Sequence, residues 1–453
     1  MAGEDGARLF GKTWSDASTT CELLLSLDES PFSSCEEAWP ADLPSARISI
    51  VACASGREIS ALYADLTWQK LDVLGAVSEK LPQARHSHRR ILLGEVELRA
   101  SMALADIGVV DGSVLTLALT PSLIVAISEC SVQIWSAVSD ECLQTLEGHL
   151  KDVNCAKCSS NSAMAVTASN DGTAKIWSVE SGECLQTLMH GSSVNTATFS
   201  PDGQVVITSS DDCTARIWSS SSGECQHILR HSLFVNTAEL SPDGNLVLTA
   251  SDDCTAKVWR ASSGECLHTF EAPEDGPVTS AAFSPDGKAV LTASGNGIAR
   301  IWCATSGVCL QNLQGHDAWL PSAVFSSDGQ RVLTASKDFT AKLWAASGEC
   351  LHTLTHDSDV NTAIFSPAGD LVVTASDDGK AWIWSVESGE CLHALEDPED
   401  GFMMSAAFSP DGQEVLTASN DITVRLWSTA SGECLQTLQH TAEVHSAAFS
   451  VTP

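Results

Sequence analysis

Eight tryptophans divide the carboxyl-terminal part of the chain into units of nearly constant length. Their successive separations are 42, 41, 41, 43, 42, 40 and 43 residues. Each unit repeats four short segments rich in Val, Ile, Thr or aromatic residues, which Gly, Asp, Ser or Pro separate. This pattern predicts four β-strands joined by tight turns, and such a unit at this period is typical of a propeller blade. The tryptophans are Trp135, Trp177, Trp218, Trp259, Trp302, Trp344, Trp384 and Trp427.

A histidine and an aspartate keep fixed distances from five of these tryptophans. In all five units the His precedes the Asp by 22 residues, and the Asp precedes the Trp by six. Fixed spacing is expected when three polar side chains must meet inside one blade, because buried polar groups need partners. The five sets are His149, Asp171 and Trp177; His190, Asp212 and Trp218; His231, Asp253 and Trp259; His316, Asp338 and Trp344; and His356, Asp378 and Trp384.

On these motifs, residues 121–453 resemble the WD-repeat β-propeller family. The resemblance implies that the His, Asp and Trp of a blade form a hydrogen-bonded tetrad with a hydroxyl group of the second strand. In the first full unit that hydroxyl belongs to Thr167 or Ser169. Three units lack part of the set, and we expect their blades to be less stable. They are the units of Trp135, Trp302 and Trp427.

The order of the strands predicts how many blades the ring contains. Region 121–453 begins with a second strand and ends with a first strand, over 444–450. We therefore predict that the last strand pairs with the opening unit and closes a ring of eight blades, which removes open sheet edges. His440 would then reach Glu129 and Trp135. The alternative is a ring of seven blades with one additional unit.

Residues 47–120 show a different pattern. Two strands about a Ser-Gly turn precede a helix over 67–81, a third strand with a Gly turn, and a last strand. With the motifs at 90–94 and 104–113, this order resembles a ubiquitin-like β-grasp domain. The usual di-glycine is missing before Pro121, so conjugation to another protein is not expected. The resemblance implies contact with ubiquitin receptors or the proteasome through a patch at Leu92 and Ala118. The alternative is that this domain only packs on the propeller and stabilises its fold.

The expected fold is mostly β. An eight-bladed β-propeller over 121–453 follows a small α+β β-grasp domain over 47–120. Residues 1–46 hold nine acidic and two basic residues without periodicity, so we expect an acidic, disordered tail.

The charge of the chain limits its partners. A formal charge of −34 argues against nonspecific nucleic-acid binding and against attachment to anionic membranes. No apolar stretch approaches the roughly 18 residues of a spanning helix, and the first residues do not resemble a secretory signal. The sequence therefore predicts a soluble protein of the cytoplasm, with the nucleus as a second location.

No catalytic constellation stands out in the sequence. It lacks a phosphate-binding glycine loop and a nucleophile elbow. Cys155 and Cys158 have a zinc-like spacing but lie in one predicted strand, and the paired aspartates of the turns are interpreted as structural rather than as calcium ligands. The recurring Gly-Glu-Cys cysteines are predicted to be half-buried on the outermost strand. We expect no catalytic residue, metal or cofactor; the alternative is a propeller enzyme or metal-dependent binder at the channel mouth.

The residue immediately before each first strand defines what we call the rim position. In a propeller this position lies around the central channel, and aromatic residues there are typical of interfaces. We therefore predict a non-catalytic, monomeric scaffold whose rim binds a peptide with Lys or Arg beside apolar anchors. The alternative is that the aromatics pack against a neighbouring loop. In chain order the rim residues are Asp152, Ser193, Phe234, Pro277, Trp319, Asp359, Phe402 and Glu443, and the six binding candidates are Asp152, Phe234, Trp319, Asp359, Phe402 and Glu443.

Overall fold

The structure is a computed structural model of the chain. It describes complete residues at 104, 109–110, 113–115, 123–137, 141–271, 274, 276–396 and 401–450, and the backbone alone at 45–52, 58–65, 87–93, 96–97 and 116–121. The chain divides into two compact units, Met1–Thr120 and Pro121–Pro453. The described residues contain no α-helix. None of them therefore forms a helix that is long and apolar enough to span a bilayer.

The first unit contains one five-stranded sheet in the order β2-β1-β5-β3-β4. Strand β1 is antiparallel to β2 and parallel to β5. The expected helix over 67–81 lies outside the described residues, as does nearly all of the expected tail. Strand β1 begins at Ser45, within the last residues of the range 1–46 expected for the tail. The strands are β1 (Ser45–Ala52), β2 (Glu58–Asp65), β3 (Ser87–Leu93), β4 (Val96–Glu97) and β5 (Val114–Pro121).

The second unit consists of eight four-stranded antiparallel sheets, which we number as blades in chain order. Blade 1 contains β37 (Val444–Phe449), β6 (Leu123–Ser128), β7 (Ser131–Ser136) and β8 (Cys142–Glu147). Blade 2 contains β9 (Val153–Cys158), β10 (Met164–Ser169), β11 (Thr173–Ser178) and β12 (Cys184–Met189). Blade 3 contains β13 (Val194–Phe199), β14 (Val205–Ser210), β15 (Thr214–Ser219) and β16 (Cys225–Arg230). Blade 4 contains β17 (Val235–Leu240), β18 (Leu246–Ser251), β19 (Thr255–Arg260) and β20 (Cys266–Glu271).

The remaining blades follow the same plan. Blade 5 contains β21 (Val278–Phe283), β22 (Ala289–Ser294), β23 (Ala299–Cys303) and β24 (Cys309–Leu313). Blade 6 contains β25 (Ser322–Phe325), β26 (Arg331–Ala335), β27 (Thr340–Ala345) and β28 (Cys350–Thr355). Blade 7 contains β29 (Val360–Phe365), β30 (Leu371–Ser376), β31 (Lys380–Ser385) and β32 (Cys391–Glu396). Blade 8 contains β33 (Met403–Phe408), β34 (Glu414–Ser419), β35 (Thr423–Ser428) and β36 (Cys434–Gln439).

Burial differs systematically among the four strands of a blade. In blade 3 the second strand, β14, is buried at all but its first residue, because neighbouring blades cover both of its faces. The fourth strand, β16, buries only Leu229 completely and leaves most of its residues exposed. Between the first two strands, the Ser200 hydroxyl donates to Asp202 and Gly203 adopts a φ of 70°, a left-handed conformation that glycine tolerates best. The second strands therefore form the core, and the fourth strands form the perimeter.

The last strand closes the ring, as predicted. Strand β37 pairs antiparallel with β6, with Val444 opposite Ser128 and Phe449 opposite Ile124. On one side blade 1 packs against Leu416 and Leu426 of blade 8, and on the other side against blade 2. First strands of neighbouring blades contact each other around the ring, which places them innermost. The propeller has eight blades, and the alternative of seven blades with an additional unit is wrong.

Candidate functional site

The tetrad of blade 2 has the hydrogen bonds that the resemblance implies. Trp177 Nε1 donates to Thr167 Oγ1 at 2.8 Å, and that oxygen lies 2.7 Å from His149 Nε2. His149 Nδ1 lies 2.9 Å from Asp171 Oδ2. Burial lowers the pKa of His149, so the neutral imidazole donates from Nδ1 to Asp171 and accepts the Thr167 proton at Nε2. Of the two hydroxyl candidates, Thr167 is therefore the tetrad member.

The same arrangement recurs in three further blades and ties one loop to one turn in each. The His lies in the loop between two blades and the Asp in the turn between the second and third strands, so both segments lie on one face, which we call the loop face. Burial would raise the pKa of Asp171, but hydrogen bonds from Thr173, the Leu150 amide and His149 lower it to about 2. The three further sets are His190, Thr208, Asp212 and Trp218; His231, Thr249, Asp253 and Trp259; and His316, Thr334, Asp338 and Trp344.

Blade 7 departs from this geometry although its sequence spacing is regular. His356 Nε2 lies 2.7 Å from Thr374 Oγ1, but within the described part of the chain its buried Nδ1 makes no hydrogen bond to Asp378. Trp382 Nε1 instead donates to Asp378 Oδ2 at 3.3 Å. The expected His356–Asp378 contact is therefore wrong. The sequence signal was Trp382 itself, since other blades place a Lys, Arg or Gln at this point of the third strand.

The closing blade lacks two members of the set. As predicted, His440 reaches Trp135, with 5.5 Å between the ring centroids. Its hydrogen bond goes to the Ser128 hydroxyl at 3.4 Å rather than to the expected Glu129, which is exposed. Ala126 occupies the place of the tetrad threonine, and consequently His440 Nε2 and Trp135 Nε1 are both buried without a hydrogen-bond partner among the described residues.

The rim positions have the same backbone geometry in seven blades. In each, the amide of a residue in the turn between the second and third strands donates to the carbonyl of the rim residue. The Lys337 amide donates in this way to Trp319, and the Asp252 amide to Phe234, both at 2.9 Å. This bond holds the backbone regardless of the side chain, so the rim side chains can vary freely.

Three aromatic rim side chains are exposed on the loop face. Phe234 exposes 48%, Trp319 56% and Phe402 51% of its surface, whereas the tetrad tryptophans are buried. About half of each residue is therefore open to solvent and half is covered, and both interpretations of the rim stay predictions. The three aromatics belong to blades 4, 6 and 8, while blade 2 carries Asp152 at this position.

The acidic rim residues differ in their surroundings. Asp152 and Glu443 are exposed. Asp359 lies 3.3 Å from Lys337 Nζ, which also donates to Asn361 Oδ1 at 2.7 Å. Asp359, expected to attract a basic ligand, thus already has a cationic neighbour within the chain. Lys337 stands where other blades have Asp, Asn, Gly or Glu, and this difference is the sequence signal for the contact.

Further apolar residues on the loop face were not singled out from the sequence. Leu150 and Leu233 are exposed beside the tetrad histidines of blades 2 and 4. Phe339 is exposed at a φ of 68°, a left-handed position where three other blades have glycine. A phenylalanine at this glycine position is the sequence feature that indicates an exposed apolar residue in the turn. Beside Phe234 lies an open pocket of about 550 Å³, lined by Leu233 with Asp252 and other residues.

The paired aspartates of the turns serve the contact between blades. Asn195 Nδ2 donates to Asp211 Oδ1 at 2.8 Å and to the Val235 carbonyl of the next blade at 3.0 Å. Asn236 makes the corresponding bonds to Asp252 and Val278. These bonds support the structural interpretation of the acidic turns over calcium binding.

The cysteines do not form a metal site among the described residues. Burial raises the pKa of Cys158 to about 12, and the Cys155 thiol donates to the Ala197 carbonyl at 3.7 Å. The eight Gly-Glu-Cys-type cysteines are exposed, so the prediction of half-buried thiols is wrong. Cys184, for example, donates to the carbonyl of Gln186 in its own strand at 3.4 Å. Among the residues that the structure describes, no three His, Cys, Asp or Glu side chains are grouped to hold a metal ion.

The ubiquitin-like patch falls on strands whose side chains lie outside the described residues. Leu92 belongs to β3 and Ala118 to β5, and these two strands are neighbours in the sheet. The patch therefore stays a prediction.

Comparison with known proteins agrees with the architecture of the second unit. The crystal structure of the computationally designed Ika8 protein is similar over 68% of this chain and 93% of its own, with a TM-score of 0.61 and 24% sequence identity. This likeness shows the fold alone. None of the curated proteins matches the chain.

A family profile matches the repeats themselves. The profile of the WD domain, G-beta repeat family matches seven segments that together cover more than half of the chain. The matched segments are 140–178, 182–219, 223–260, 264–303, 307–345, 348–385 and 389–428. The matched segments leave strands β6, β7, β36 and β37 of the propeller uncovered. The chain therefore belongs to the WD-repeat family.

Proposed function

We propose that this protein is a non-catalytic scaffold whose loop face binds a peptide with basic residues beside apolar anchors. WD-repeat propellers are typically scaffolds for protein interactions. The observation that carries the proposal is the half-exposed state of Phe234, Trp319 and Phe402 at equivalent positions on one face. Exposure of an aromatic side chain to water costs free energy, and aromatic residues are among those that most often dominate interfaces.

Charge gives the proposed ligand its basic character. Region 121–453 holds 41 acidic and 14 basic residues. On the loop face Asp152 and Glu443 are exposed, and Asp252 lies beside Leu233 in the pocket next to Phe234. Because Lys337 already pairs with the acidic residues of blade 7, we expect the cationic side chains of the ligand to contact the acidic residues of blades 1 to 4. The negative electrostatic field of these acidic residues speeds the encounter with a basic ligand and makes the rate of binding depend on the salt concentration.

A peptide array tests this proposal. It should vary Lys and Arg positions around Trp or Leu anchors, with acidic versions as negative probes. We expect the full chain to select basic, apolar peptides and Trp319→Ala to lower the affinity by ~10-fold or more. Leu435→Ala is the matched control, since Leu435 is 54% exposed but lies on the perimeter. Equal affinity of wild type and Trp319→Ala, or binding that does not respond to salt, would contradict the proposal.

The amino-terminal unit is proposed as a second contact, with ubiquitin receptors or the proteasome. The order of its described strands along the chain, two before the predicted helix and three after it, supports a ubiquitin-like reading. Binding of the full chain to a purified proteasomal receptor subunit, compared with Leu92→Asp, measures this contact. Binding that is absent, or unchanged by Leu92→Asp, would remove the ubiquitin link.

A further inference from the structure

Among the strands that the structure describes, the fourth strand of every blade is a sheet edge with a neighbour on one side only. In blade 8, for example, β36 exposes most of its residues, and Leu435 at its second position is 54% exposed. An unpaired edge offers free backbone groups that another strand can join, so natural proteins protect such edges, often with charged side chains. A propeller with eight open edges needs this protection around its whole perimeter.

Seven of the eight edges carry the same acidic residue. In these blades an exposed glutamate directly precedes the cysteine with which the fourth strand begins. A strand that joined such an edge would remove water from this carboxylate without supplying an opposite charge, which costs free energy. The seven residues are Glu141, Glu183, Glu224, Glu265, Glu349, Glu390 and Glu433.

Blade 5 lacks this protection. Val308 stands in place of the glutamate and exposes 57% of its surface, and Leu310 beside it exposes 52%. Residues 303–316, which include all of β24, contain no Asp, Glu, Lys or Arg. In a chain with a formal charge of −34, this edge is uncharged over its full length.

We propose that the β24 edge of blade 5 pairs antiparallel with β24 of a second copy of this chain. A twofold axis brings the same surface of both copies together, so one exceptional edge is sufficient for a closed dimer. The pairing would join the backbone groups of Cys309–Leu313 and cover Val308 and Leu310 of each copy. At 0.15 M ionic strength charges are screened beyond about 8 Å, so the uncharged edge matters more than the net charge of the chain. A short ladder of this kind favours a reversible dimer in place of the monomer expected from the sequence.

Sedimentation velocity of the full chain, from ~1 µM to ~200 µM, measures this association. We expect a dimer fraction that increases with concentration. Val308→Glu introduces the residue that seven other edges already carry, so the fold should accept it, and the dissociation constant should increase by ~10-fold or more. A wild type that stays monomeric over this range, or a dimer that Val308→Glu leaves unchanged, would overturn the proposal.

The reverse change on blade 8 is the matched control. Glu433→Val removes the acid beside the equally exposed Leu435, so each copy would then have two unprotected edges. Species larger than a dimer are expected, and an unchanged mass distribution would contradict the protective role of the acids. Hydrogen exchange locates the contact: amides of Cys309–Leu313 should become protected on dimerisation, and protection confined to other strands would refute the β24 interface.

Discussion

Ala126 shows how one missing hydroxyl group changes a buried network. Each of the other seven second strands has a threonine at this position, and its oxygen accepts the indole proton of its tryptophan. In blade 1 the backbone register is retained, with Ala126 paired to Gln133 and Ala447. The buried nitrogens Trp135 Nε1 and His440 Nε2 therefore lack the threonine oxygen that binds the corresponding nitrogens in blade 2. Stranded polar atoms of this kind cost more free energy than an average hydrogen bond contributes.

Ala126→Thr is expected to stabilise the protein. The new hydroxyl can accept from Trp135 Nε1 and donate to His440 Nε2, as Thr167 does in blade 2. Ala126→Val has the same shape without the hydroxyl and is the control. Urea unfolding should give the threonine variant ~1–3 kcal/mol more stability than the valine variant. Equal unfolding midpoints would show that the unpartnered nitrogens carry no penalty.

At the level of the element, blades with one backbone plan satisfy their polar positions in different ways. Blade 8 has no tetrad histidine, and Arg425 instead pairs with Asp421 at 2.9 Å, with both side chains buried. In blade 5, Asn296 donates to the Glu274 carbonyl, and Phe270 packs 5.3 Å from Trp302. Each solution keeps the bond from the tryptophan to its threonine, at 2.8 Å in blade 8 and 2.9 Å in blade 5. The Thr–Trp contact is therefore common to all blades except blade 1.

Strand β37 has a special role because it joins the two ends of the propeller. Deletion of 444–453 would remove the innermost strand of blade 1 and expose the edge of β6, so we expect a sharp fall in melting temperature and a tendency to aggregate. Deletion of 451–453 alone is the control and should leave melting unchanged. A melting temperature that is insensitive to the longer deletion would mean that the ring does not depend on this closure.

The whole molecule should lose stability in mild acid, because its tetrad histidines fold in the neutral form. Burial lowers the pKa of His190 and of His440 to about 4, from an ordinary value of 6.5. As the pH falls, the histidines of the unfolded chain therefore bind protons at a higher pH than those of the folded chain. The contribution of the neutral histidines to the free energy of unfolding is complete above pH 6.5 and is lost as the pH falls from 6.5 toward 4. Each of these two groups contributes up to ~3 kcal/mol to that loss.

Urea midpoints measured between pH 8 and pH 4 test this behaviour. We expect a plateau above pH 7 and a continuous decrease below pH 6.5, followed by a further loss below pH 4 as carboxylates such as Asp171, with a pKa of about 2, are protonated. His440→Gln removes one titrating group and should flatten the decrease. A constant midpoint between pH 7 and pH 5 would contradict neutral burial of these histidines.

The sequence alone determined the repeat, the strand order, the closing strand and four of the tetrads, because each of these depends on local spacing that recurs. The tertiary structure decided which hydroxyl joins the tetrad, that Trp382 displaces His356 from Asp378, that Lys337 faces Asp359, and that the rim aromatics are exposed. These outcomes depend on contacts between side chains of different strands or blades, and a periodic sequence places such side chains at equal positions without fixing which of them bind each other. The edge of blade 5 depends on both sources: the sequence places Val308 beside a strand predicted to be outermost, but only the structure shows that Val308 exposes 57% of its surface.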